Sequence, residues 1–164
     1  MATKEKTMPK TEYTIEPGKQ ELTSTVVLDA PRELVFKAYT DPKLFAQWWG
    51  PRGYENRIEK FECRPGGEWR VTQVTPDGAE YGFRGVTHDV VANERICQTF
   101  EFLGVPGHVA LQTATFDAEG NKTRITAQIV FQSVMDRDGM VASGMRRGAD
   151  ESMERLAELL ALQS

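Results

Sequence analysis

Cysteine and histidine are scarce, with two of each in 164 residues. Cys63 and Cys97 lie in separate segments without CxxC or comparable metal-ligand spacing, so neither a disulfide framework nor a zinc site is expected, and both read as buried thiols. The sequence also lacks GxSxG, a Walker loop, a dinucleotide fingerprint and HExxH, which removes the commonest hydrolase, nucleotide and zinc chemistries; no cofactor or metal is expected. No apolar run is long enough to span a bilayer, and Met1 to Lys6 has no signal-peptide core, so a cytoplasmic location is expected. An excess of positive charge is missing too. Lys and Arg number 20 against 24 Asp and Glu, a net charge of -4 that opposes attraction to a nucleic-acid backbone or an anionic lipid surface. Neither is expected as a partner.

What is present suits one folded domain: 40% hydrophobic and 27% charged residues. Residues 1–20 are rich in Lys, Glu, Thr and Pro and read as a flexible arm before a single domain over 21–164. The β-branched run from Glu21 to Leu28 predicts a strand, stopped by Asp29-Ala30-Pro31. Pro31 opens a short helix through about Tyr39, and Asp41-Pro42 starts a second that Gly50-Pro51 ends. The period then changes to strands, with turns at Pro65-Gly66-Gly67 and Pro76-Asp77-Gly78 and further strands over 81–90, 95–102, 108–116 and 123–131. Asn121-Lys122-Thr123, a glycosylation pattern, reads as a turn. From Asp136 or Asp138 to Leu162 the helical spacing of Met145, Ala149, Met153, Leu156 and Leu160 predicts one long amphipathic helix. The fold class is α+β: a curved antiparallel sheet of about seven strands crossed by that helix.

This order, with Asp29-Ala30-Pro31, Trp48-Trp49-Gly50-Pro51, Pro65-Gly66-Gly67-Glu68-Trp69 and Gly85 before Asn93-Glu94-Arg95-Ile96, resembles the SRPBCC superfamily of helix-grip folds. The Trp-Trp-Gly-Pro and Pro-Gly-Gly segments, with Gly139-Met140, Gly144-Met145 and Gly148, resemble its branch named after activators of the ninety-kilodalton heat-shock protein's ATPase. The resemblance covers about Thr23 to Leu160. It implies one of three functions: binding of a small hydrophobic or aromatic molecule between sheet and helix, interaction with a chaperone, or cyclase or dehydratase chemistry on a polyketide-like substrate. Whole activators of the chaperone kind carry a further N-terminal domain, whereas here a short arm precedes the fold.

Trp48 and Trp49 suit either core packing or the mouth of a cavity. Trp69, Tyr81, Phe83, Phe100 and Phe102 are strand residues, and the spacing of Tyr81/Phe83 and Phe100/Phe102 sends each pair to one face. Met140, Met145 and Met153 suit soft ligand walls or gap fillers. Gly144 and Gly148, four apart in the expected helix, carry a propensity cost that close approach to the sheet or room for a ligand would offset. The ligand-lining set is therefore Trp48, Trp49, Trp69, Tyr81, Phe83, Phe100, Met140, Gly144 and Met145, with an apolar small molecule as partner and a monomer or weak dimer expected. No catalytic residue is assigned. An enzyme would need an inward acid–base pair, to be sought among Glu68, Arg70, Arg84, His88, Asp89, Glu101 and His108.

Overall fold

Strand β2 (Glu21–Leu28) and the paired short helices α1 (Arg32–Thr40) and α2 (Pro42–Phe45) begin the fold where the composition placed them. The structure, a computed structural model, describes residues 8–163. Pro31 precedes α1, and its carbonyl accepts from Leu34 and Val35 N–H. Asp41 caps α2 through a 2.9 Å bond from Lys43 N–H, with Pro42 in the first position, where a missing N–H costs nothing. α2 is one turn long; Ala46 to Trp49 continue as turns until Gly50 leaves at φ +95°.

Strands β3 (Glu55–Phe61), β4 (Glu68–Val74), β5 (Glu80–Val91), β6 (Arg95–Phe102), β7 (Val109–Glu119) and β8 (Lys122–Val130) follow. With β1 (Glu12–Thr14) they make one eight-stranded sheet in the order β1-β2-β8-β7-β6-β5-β4-β3, every neighbour antiparallel. Bulges between Ile58 and Lys60 and between Thr87 and Asp89 bend it. β1 lies in the segment read as an arm and raises the strand number from seven to eight. It pairs Tyr13 with Ser24, and the Tyr13 hydroxyl donates to Asp150 at 2.7 Å. Residues 1–7 of that arm lie outside the described residues.

The closing helix differs from the expectation. It is divided into α3 (Val134–Ala142) and α4 (Met145–Gln163) by Ser143-Gly144, with Gly144 at φ +86°. A left-handed residue cannot continue a right-handed helix. Ser133 caps α3, its hydroxyl accepting from Asp136 N–H at 3.0 Å. The buried Arg137 guanidinium ties α3 to the start of β2 and to the chain before it by donating to the Glu21 and Glu16 carbonyls. The helices cover two apolar clusters. The larger joins α1, α2 and α4 to the sheet through Val35, Trp48, Val71, Phe116 and Leu156; the smaller sits under α3 on Leu22, Ala110 and Phe131.

Candidate functional site

The concave face of the sheet is not filled by the helices. A cavity of about 230 Å³ lies between it and α1, α2 and α4. Its roof is aromatic: Tyr39 from α1, Phe45 from α2, Trp48 and Trp49 from the turns behind α2. Packing sets these rings. Trp48 donates its indole N–H to the Ala38 carbonyl at 2.9 Å, and Trp49 stacks on Phe45 and meets Trp69 and Phe83 edge-on at 6.2 and 5.1 Å. Phe61, Trp69 and Phe100 make one side wall, and Met153 of α4 closes the top. All three tryptophans of the chain therefore line the space.

The floor is mixed. Alternation along β6 directs Ile96, Gln98 and Phe100 inward; along β7 it directs Ala110, Gln112 and Ala114 inward. Thr87, Gln98 and Gln112 stand directly opposite one another on β5, β6 and β7, a polar row across an apolar face. The Thr11 hydroxyl oxygen is buried at the cavity edge with no hydrogen-bond partner. The Tyr39 hydroxyl is buried beside the Met153 sulfur at 4.0 Å, and loss of hydration holds its pKa far above the usual phenol value. Among the described residues, no lysine or arginine lines the cavity, and the one carboxylate that does is Glu62. A hydrogen bond from Glu68 N–H and the neighbouring Lys60 and Arg64 hold that carboxyl below its ordinary value. Burial pushes the adjacent Cys63 thiol up.

Of the expected lining residues, Trp48, Trp49, Trp69 and Phe100 meet in this cavity. Tyr81, Phe83, Met140, Gly144 and Met145 do not. Phe83 sits behind the wall against Trp49, Phe100 and Phe102, and Tyr81 lies farther out, 41% exposed, beside Phe102. Met140 of α3 and Met145 at the start of α4, on either side of the break at Gly144, pack on the smaller cluster. Nothing lies within 4 Å of a Cβ built on Gly144, so its role is conformational, and neither close approach nor ligand space explains it. Gly148 has only ordinary contact with Pro51 at 3.6 Å, and Gly139 lies inside α3.

The candidate acid–base groups face elsewhere. Glu68, Arg70, Arg84 and Glu101 point to the opposite side of the sheet, in ion pairs Lys60–Glu68, Arg70–Glu59 and Arg84–Glu101 of 2.7 to 2.9 Å. His88 is exposed, Asp89 pairs with Arg95, and His108 meets Asp136 at 2.9 Å. None lines the cavity, so an inward acid–base pair is not found among them. The described residues hold no cluster of three His, Cys, Asp or Glu side chains fit for a metal ion. No helix among them is long and apolar enough to cross a membrane.

Sequence reading passed over Tyr39, Phe45, Phe61, Gln98 and Gln112. The glutamines carried a signal: each occupies a core-facing position in a strand whose other inward positions are apolar, and a polar residue there needs a reason.

A curved antiparallel sheet gripping a C-terminal helix over an internal cavity defines the helix-grip class, whose fold generally serves ligand binding. The family described as Activator of Hsp90 ATPase homolog 1-like protein matches residues 29–161, and the chain belongs to it. A comparison with curated proteins found no match. Solved structures share the fold at low identity. A solution structure of a protein from Arthrobacter aurescens has a TM-score of 0.85 at 22% identity, covering 92% of this chain and 91% of that one. A Mycobacterium smegmatis protein has 0.83 at 21%, covering 91% and 95%. The AHSA1 protein of Silicibacter pomeroyi has 0.74 at 20%, covering 88% and 99%.

Proposed function

We propose that the protein binds a small, largely aromatic molecule in the cavity beneath α4. The carrying observation is an unfilled space of about 230 Å³ walled by all three tryptophans. An apolar cavity of roughly 150 Å³ holds benzene, so this one suits a bicyclic ring system. A dry void of this size would cost up to about 5.5 kcal/mol at roughly 24 cal/mol per Å³, a large share of a domain's stability. Water on the polar floor or a bound ligand relieves that cost. Membership of a family with a ligand-binding fold supports the same reading.

A thermal-shift screen with flavonoids, fatty acids and polyketides tests it. A ligand at one hundred times its dissociation constant adds about 2.7 kcal/mol and raises the melting temperature. The absence of a shift with every class would contradict the reading. The family description supports a second proposal, interaction with a chaperone ATPase. It predicts altered turnover of the cognate chaperone on addition of this protein, and unchanged turnover without binding would remove it.

A further inference from the structure

The row Thr87–Gln98–Gln112 crosses the cavity floor between apolar neighbours: Ile96 and Phe100 on β6, Ala110 and Ala114 on β7, and Ile129 opposite Gln112 on β8. Thr87 is buried, and Gln98 and Gln112 both open onto the cavity. Among the described residues neither glutamine amide makes a hydrogen bond to protein. Two amides without a protein partner, on neighbouring strands whose other inward positions are apolar, have the form of a recognition element.

Their chemistry restricts the ligand. A primary amide offers one edge with a carbonyl acceptor beside an N–H donor, and its best complement is a second edge of the same kind: a lactam, or a ring carbonyl flanked by a hydroxyl. A pure hydrocarbon would displace water from both amides and leave them unpaired. A carboxylate would find no lysine or arginine in the lining, where the one charged side chain is Glu62, already ion-paired with Lys60 and Arg64. Resting on the binding function proposed above, we infer that the physiological ligand is a neutral bicyclic aromatic carrying an adjacent carbonyl acceptor and N–H or O–H donor, held by Gln98 and Gln112.

Three probes of matched ring size separate the terms: 2-quinolinone (a neutral lactam), naphthalene (shape alone) and 2-naphthoate (an anion). Calorimetric titration of the full chain should give 2-quinolinone at least about tenfold tighter binding than naphthalene, the return on a paired amide edge, with 2-naphthoate weakest. Gln98→Met and Gln112→Met keep side-chain length and remove the amide. Each should cut the preference for 2-quinolinone by about tenfold, weakening the lactam and strengthening naphthalene, while an unchanged far-ultraviolet circular dichroism spectrum reports that the variant is folded. Naphthalene binding as tightly as the lactam, 2-naphthoate binding tightest, or a preference that survives both substitutions would overturn the inference while leaving the cavity as a binding site. Should the variants fail to fold, the rank order in the unaltered protein decides alone. Binding of none of the three would overturn both the inference and the proposed function.

Discussion

A methyl group at Gly85 would sit 1.9 Å from the Thr99 carbonyl oxygen and 2.5 Å from the Trp69 indole nitrogen. That space is occupied for a reason. Between the Arg84–Glu101 and Thr87–Gln98 pairs, Trp69 donates its indole N–H to Thr99 at 3.2 Å, and Val86 N–H turns to the Thr99 hydroxyl at 2.8 Å. The indole is thereby fixed as a cavity wall. Gly85→Ala should lower stability by about 2 kcal/mol or more, through overpacking and a lost hydrogen bond, in urea denaturation; an unchanged midpoint would contradict this account of Trp69. On the outer side of the same strands, Glu101 accepts from Gly107 N–H and from Arg84, both at 2.7 Å, which hold its carboxyl below the usual range. Stability from a depressed carboxyl is full above the unfolded value of about 4.3 and fades as pH falls through the lower folded value. The protein should lose stability on acidification below about pH 4, and Glu101→Gln should lose less between pH 5 and 3. Parallel losses in the two proteins would remove Glu101 from the acid limb.

At the level of elements, the break between α3 and α4 decides which side chains reach the cavity. Apolar spacing runs through it unchanged, since Val141, Met145 and Ala149 stand four apart, and periodicity does not report the sign of φ. Gly144 and Gly148 therefore looked equivalent, and the structure separates them. Gly144→Ala places a side chain at φ +86° and should cost about 1–2 kcal/mol. Gly148→Ala lies inside α4 with only an ordinary contact to Pro51, and should gain up to about 1 kcal/mol in thermal unfolding. Equal effects would mean that one helix runs through both positions. The strands were more legible, because turn residues such as Pro76-Asp77-Gly78 and alternations such as Ile96, Gln98, Phe100 are local signals. β1 was not, since three residues paired through backbone groups leave little mark on composition.

For the whole molecule, the consequence is an interior divided between two apolar clusters, with the cavity against the larger one. Part of the aromatic wall was legible, since Trp48, Trp49, Trp69 and Phe100 line the cavity, whereas Tyr81 and Phe83 do not and Tyr39, Phe45 and Phe61 were passed over. The polar half was not, because whether Gln98 and Gln112 meet depends on β6–β7 register, and register is set by long-range pairing rather than by either segment alone. Packing and binding are both expected of these aromatics, so only occupancy of the space separates the two roles.

The three indole N–H groups supply that measurement, since all three rings line the cavity. In amide NMR spectra of labelled protein titrated with 2-quinolinone, the indole signals of Trp48, Trp49 and Trp69 should move together and saturate with one dissociation constant. Ala114→Leu, which puts a larger side chain on the cavity wall, should weaken that response. Indole signals that stay fixed while only surface amides shift would contradict the claim that the space beneath α4 is a binding site.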